Sequence, residues 1–474
     1  MQGSRAGSVL GPSRRAIMAG LSGLAAGVAA GAVLPGLALA ASEAEIDRAI
    51  ASLITPSRGP LGAAEAQRIL MRDAGLSAMP GLVLAHRFSP LPRTETAAIM
   101  ARITGEPPSL DWFDWMLWQE AHPEVQPTAG YVGLKRAVFE AIDPEFEIFL
   151  RDPWLEPERS RIRFEEVTWG GVRKDGIPSL DNPTLIGAGE ATYLRDSDPV
   201  FGVSINGDVR AYPLRIMGWH EMFNEVIGGV PVALAYCTLC GAGILFETQI
   251  AGRPAPFVFG SSGFLYRSNK LMFDRETHTL WNQFTGRPVI GPLVENGIEL
   301  RQRPVTIQPW GEWRAANPET RVLSLDTGHA RDYGSGVVYR DYFASGDLMF
   351  PALVNQQVLK QKDYVFGIRQ RGVARAWPLE VFRGGRVIND AVGDTAVVLI
   401  GDAAGRTVRA YERGARRFDA AAGGGLSEGG ERWEITEEAL IGPGGTRMPR
   451  VAGHIAYWFA WDNYLGLRAE LYQG

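Results

Sequence analysis

The sequence predicts an α+β protein: an N-terminal helical domain followed by two β-rich lobes related by internal duplication. Apolar residues keep helical spacing from Ser42 to about Leu150. Beyond Asp152-Pro153-Trp154, short β-branched and aromatic runs alternate with Gly, Asn, Asp and Pro, the pattern of strands and turns. Most telling, Val200-Phe201-Gly202 through Arg210-Ala211-Tyr212-Pro213-Leu214 recurs 165 residues later as Val365-Phe366-Gly367 through Arg375-Ala376-Trp377-Pro378-Leu379, with eight of fifteen positions identical. Self-similarity of that length points to a repeated supersecondary unit. The boundaries read as 1–40, 41–150, 155–328 and 335–474.

The first segment is an export signal. Ser13-Arg14-Arg15 leads into an apolar, Ala/Gly-rich stretch over 16–37, and Ala38-Leu39-Ala40 supplies a small-x-small cleavage pattern. Paired arginines before a weakly hydrophobic core indicate the twin-arginine route and a periplasmic or otherwise extracytoplasmic mature chain. No later apolar run reaches spanning length, so the mature chain has no membrane span. A net charge of −5 and a pI near 5.8 argue against a nucleic-acid partner.

In the helical domain, Ser42 and Glu45 form a capping box ahead of Ile46, Ile50 and Leu53. The spacing predicts further helices over 62–71 and 94–103. Trp112, Phe113, Trp115 and Trp118 make an aromatic face that docks on the next domain, while His86 and His122 read as surface or capping residues. In the first lobe, Asn206-Gly207 marks a tight hairpin.

Chemistry concentrates around Trp219-His220-Glu221 and the strand that follows, which ends Tyr236-Cys237-Thr238-Leu239-Cys240-Gly241. Cys237 and Cys240 are the only two cysteines. A C-x-x-C disulfide closes almost no chain and stabilises little, so a functional role outweighs a structural one. Two thiols with His220 nearby are soft-metal ligands or a redox couple. If 217–224 is helical, Met217, His220 and Glu221 share a face, which makes Met217 a candidate thioether ligand. His278 and His454 are further candidates with no positional argument. On the 165-residue register His220 falls on Gly385, Glu221 on Arg386, Cys237 on Asp402 and Cys240 on Gly405. Both copies keep residues a fold requires, and only the first keeps the candidate ligands. The site is therefore grafted on the first lobe, with the second as scaffold or lid.

Trp169-Gly170-Gly171-Val172, Asp175-Gly176-Ile177-Pro178, Arg210-Ala211-Tyr212-Pro213, Trp219-His220-Glu221, the Tyr236–Gly241 motif, Asp274-Arg275-Glu276-Thr277 and Leu280-Trp281-Asn282-Gln283 follow one family pattern. Over roughly residues 165 to 474 the chain resembles the bacterial exported family catalogued as domain of unknown function 3179. Thr238 stands where many members have proline, which loosens the turn and keeps both thiols. The resemblance implies a class of protein and no particular chemistry.

Three functions remain open. One is a metal-binding protein, redox-active or metal-handling, whose metal ligands are His220, Cys237, Cys240 and Met217, with copper favoured and iron or zinc possible. Another is a thiol–disulfide oxidoreductase using Cys237 and Cys240, with His220 and Glu221 assisting, on a small molecule or a redox partner protein. The last is a non-catalytic binding module.

Overall fold

Six α-helices, Glu43–Ile54, Ala63–Asp73, Met79–Phe88, Arg93–Thr104, Trp112–Ala121 and Tyr131–Ile142, precede the strands. The computed structural model describes residues 40–474 except 58, 371 and 466–468, and the expected export signal lies outside them but for Ala40. The first helix starts as its sequence requires: the Glu45 carboxylate accepts from the Ser42 N–H at 2.8 Å and from its hydroxyl at 2.9 Å. Trp112 and Trp115 are buried, Trp112 beneath the Arg87 guanidinium 4.2 Å from the ring centre. The aromatic contact with the strands is made largely by phenylalanines. Phe139 and Phe146 lie 5.0 and 4.5 Å from Phe264, and Phe149 lies 5.0 Å from Phe273. Arg87 adds a hydrogen bond to the Trp169 carbonyl at 2.8 Å. His122 does cap its helix, with Nδ1 2.7 Å from the Trp118 carbonyl. His86 is not at the surface; it is buried between Thr96 Oγ1 (2.7 Å) and the Leu110 carbonyl (3.2 Å).

After the helices come β-rich sheets, as an α+β chain requires. In the first lobe, strands Pro199–Ile205 and Asp208–Pro213 form a hairpin, then helix Leu214–His220 leads to the antiparallel run Met222–Ile227, Val230–Cys237 and Ala242–Glu247. In the second lobe, Tyr364–Gln370 and Val373–Pro378 form a hairpin, then a short 3-10 turn leads to Arg386–Val392, Thr395–Asp402 and Thr407–Glu412. The registers match: Val200 opposes Pro213 and Gly202 opposes Ala211, as Val365 opposes Pro378 and Gly367 opposes Ala376. Each hairpin takes an antiparallel neighbour on one side (Thr306–Pro309; His454–Tyr457) and a parallel one on the other (Arg321–Leu323; Ala469–Leu471).

Side chains alternate along Val230–Cys237 as a pleated strand dictates. Ala233, Ala235 and Cys237 enter the core shared with the helices, whereas Val232, Leu234 and Tyr236 enter a second core shared by the two lobes. That alternation decides which face the thiols occupy.

Candidate functional site

The C-x-x-C is the hairpin turn between Val230–Cys237 and Ala242–Glu247, with Cys237 paired to Ala242. The Cys240 N–H donates to the Cys237 carbonyl at 3.2 Å. Gly241 closes the turn at φ +60°, where a Cβ would also sit 3.0 Å from the Tyr364 ring. The second lobe clamps the turn from above: the Tyr457 N–H donates to the Cys240 carbonyl at 2.8 Å. The segment joining the lobes holds it too, through Tyr342 OH donating to the Leu239 carbonyl at 2.6 Å.

Cys237 is 2% exposed and Cys240 fully buried. The Cys240 thiol donates to the Ser268 carbonyl at 3.5 Å and receives the Asn269 side-chain N–H at 3.2 Å. Burial pushes this thiol well above its usual range, and Cys237 beside it adds to the rise. Asn269 also donates to Gln283 Oε1 at 2.9 Å, and Gln283 bonds the Ala235 carbonyl at 2.8 Å, so a polar side-chain bridge spans the strands that present the thiols.

Glu221 stands next to this turn. Helix Leu214–His220 ends there, and Glu221 takes a left-handed conformation at φ 55°. Its carboxylate accepts from Thr238 Oγ1, the residue after Cys237, at 2.7 Å, from Tyr339 OH at 3.2 Å and from Lys270 Nζ at 3.1 Å. Glu221 and Lys270 form a buried ion pair, their side chains 8% and 4% exposed. The negative charge of Glu221, then burial, holds the Tyr339 phenol above its usual range. Tyr339 also lines a cleft of about 610 Å³ with Ile177, Gly218, Trp219, Arg331 and Val338. The cleft thus reaches Glu221 through one phenol.

Cys237 and Cys240 therefore share one turn, and Glu221 reaches that turn through the Thr238 hydroxyl. Met217 is not with them: it lies in the core between the lobes, on the sheet face opposite Cys237. His220 is fully buried with both ring nitrogens engaged, Nδ1 2.9 Å from the Pro178 carbonyl and Nε2 2.6 Å from Tyr333 OH. Burial pulls its pKa down to about 4, so the ring is neutral, donating to Pro178 and accepting from Tyr333. Among the described residues, no group of three or more His, Cys, Asp or Glu side chains is placed to hold a metal ion. His278 faces Phe273, with ring centres 6.3 Å apart, and His454 is buried against Phe284 at 4.8 Å. Asp274 bonds Thr277 and the Trp281 indole at 3.0 Å, a local turn. Sequence reasoning missed Lys270, Asn269 and Tyr339; Gln283 it had placed inside a family motif.

Residues 174–466 match the model of the family described as Protein of unknown function (DUF3179). The chain belongs to this family. No curated protein and no solved structure matches it. Every residue of the thiol site lies inside the DUF3179 region, from Glu221 to Tyr457, whereas the six leading helices lie before it. The site is thus built from DUF3179 strands, with the helices packed on the face that carries Cys237.

Proposed function

We propose that the protein is a thiol–disulfide oxidoreductase whose working pair is Cys237 and Cys240. The observation that supports this most is the buried Glu221–Lys270 pair bonded to the C-x-x-C turn through Thr238. A buried thiol with a raised pKa needs a base before it can act, and Glu221 is the carboxylate bonded to the turn through Thr238, its charge adding a little to the rise that burial imposes on Cys240. Cys237, the less buried thiol, attacks one sulfur of a substrate disulfide as its thiolate. The other substrate sulfur leaves and takes a proton. Cys240 then passes its proton to Glu221 and attacks Cys237 Sγ, and the second substrate sulfur leaves and takes that proton back from Glu221 to become a thiol. Two protein thiols become a disulfide and one substrate disulfide becomes two thiols, so no further reductant enters.

The test is a disulfide-exchange assay with mixed-disulfide trapping. Cys240→Ser should accumulate an adduct at Cys237, Cys237→Ser should be inert, and Glu221→Gln should trap the adduct transiently by slowing the second step about 10²-fold, the low end for a lost general base. Reduced protein that cannot be oxidised by a disulfide substrate without unfolding sinks the reading.

A second reading keeps a soft metal, copper before iron or zinc, on the two thiolates. It is favoured by the two sulfurs held in one turn, while the Ser268 hydroxyl and Asn269 Oδ1 on the neighbouring strand end are buried without a partner. Elemental analysis after mild reducing purification separates the two, since a metal-free but exchange-competent protein excludes it.

We also propose export by the twin-arginine route and descent of the two lobes from one duplicated unit. Retention of a reporter fused behind residues 1–45 in the cytoplasm would overturn the first. The second is supported by the matched registers and by a shared side-chain clasp, in which Asn224 bonds both backbone groups of Phe259 and Asn389 those of Phe418. An experimental structure in which 200–214 and 365–379 fail to superpose would exclude it.

A further inference from the structure

A second cleft, about 470 Å³, opens at the seam between the lobes and is lined by five arginines against three glutamates. Arg301 and Arg303 come from the first lobe, and Arg369, Arg447 and Arg450 from the second. The carboxylates that neutralise them are shared. Glu247 serves both Arg301 and Arg303, Glu299 serves Arg287 and Arg369, and Glu437 serves Arg409 and Arg450. One carboxylate between two guanidiniums leaves a positive charge unmatched at each place. Arg447 is exposed and has no ion-pair partner among the described residues. Glu412 and Glu438 also line the cleft; Glu438 Oε1 is bound by the Ser204 hydroxyl and the Gly207 N–H, each at 3.0 Å. The balance stays positive.

Donors are left over as well. The Nε–H groups of Arg369 and Arg450 are buried without a hydrogen-bond partner, and the Arg450 side chain as a whole is only 4% exposed. Leaving such donors unmet is costly, and burial, with Arg287 nearby, lowers the Arg369 pKa. An oxyanion in the cleft would answer both defects, because a guanidinium fork matches phosphate and carboxylate geometry.

We propose that this seam binds a small molecule carrying two or more oxyanion groups, phosphate or carboxylate, gripped by arginines of both lobes. The volume exceeds what a single phosphate fills, and the free donors sit on separate strands. A ligand touching both lobes ties them together and therefore stabilises the fold by mass action.

The experiment is thermal unfolding and calorimetric titration of the purified chain with pyrophosphate, with citrate, and with sodium chloride at matched ionic strength. Pyrophosphate or citrate should raise Tm saturably while chloride does not, and the responding compound tells phosphate from carboxylate chemistry. Arg369→Gln should weaken binding about tenfold, the factor that 1.4 kcal/mol represents. Arg447→Gln, which removes an exposed and unpaired side chain, keeps the basal Tm and should weaken binding too. Equal shifts from chloride, no saturable heat with either anion, or unchanged affinity in both variants would overturn the proposal.

Discussion

Glu221 explains both what local sequence could reveal about the site and what it could not. Helical spacing placed Met217, His220 and Glu221 on one face, but the helix stops at His220. The left-handed turn at Glu221 swings its carboxylate toward Thr238, while Met217 stays in the core between the lobes. Cys237, Cys240 and Glu221 were legible because they sit within twenty residues of one another. Lys270 and Tyr339 were not, since they arrive from 49 and 118 residues away through strand pairing and the segment joining the lobes. The energetic consequence is testable. Removing one partner of a buried ion pair strands the other charge, so Lys270→Met should destabilise by about 3–5 kcal/mol in urea unfolding. Adding Glu221→Gln should recover part of that loss, because it removes the stranded charge while the amide oxygen still accepts from Thr238 and Tyr339. A Lys270→Met variant as stable as wild type would mean that the Glu221–Lys270 pair does not help hold the fold.

Among the elements, turn chemistry separates what was readable from what was not. Asn206 and Gly207 both take positive φ, 51° and 79°, as an Asn-Gly hairpin demands. Arg267 and Ser268 adopt the same kind of turn, at 48° and 66°, yet neither residue type signals it. That second hairpin is the one that presents Ser268 and Asn269 to Cys240 and Lys270 to Glu221, so the missing signal hid half of the site. Glycine tells a clearer story. A Cβ on Gly202 would lie 2.1 Å from the Trp313 ring, and one on Gly367 2.0 Å from Trp461. Both lobes thus press an indole onto a strand glycine. The asparagine clasps offer a matched test at this scale. Asn224→Ala and Asn389→Ala each leave one backbone N–H and one carbonyl without a partner, a cost of about 1–3 kcal/mol per group, and Asn224→Ala also removes a bond to Asp181 Oδ1. Similar losses in equilibrium unfolding would mark them as equivalent parts; a loss confined to one would show that the clasps are not interchangeable.

At the scale of the whole molecule, the helices, the segment between the lobes and the second lobe meet at Glu120. Its Oε2 accepts the Leu353 N–H at 2.9 Å and the Asn463 side-chain N–H at 3.3 Å. Burial pushes its pKa up to about 7, with Glu166 adding to the rise and the Leu353 N–H opposing it. A carboxyl raised from about 4.5 in the unfolded chain favours the protonated folded form. Its contribution is therefore complete below pH 4.5 and is lost as pH climbs through 7. His220 and His454 act in the opposite sense. Burial lowers them to about 4 and about 3, so their contribution holds above 6.5 and is lost as pH falls toward those values. The two effects overlap between pH 4.5 and 6.5, where two histidines outweigh one carboxyl, so these three groups together should make stability rise with pH up to about neutrality. Glu120→Gln isolates the alkaline side: it cannot ionise, yet its carbonyl still accepts from Leu353 and Asn463. The variant should match wild type near pH 5 and exceed it near pH 8.5 by up to about 3 kcal/mol, from roughly 1.4 kcal/mol per unit of pKa. Urea unfolding at half-unit steps between those limits measures the difference. Parallel curves for the two proteins would show that Glu120 ionises as readily folded as unfolded, and that the junction is wet.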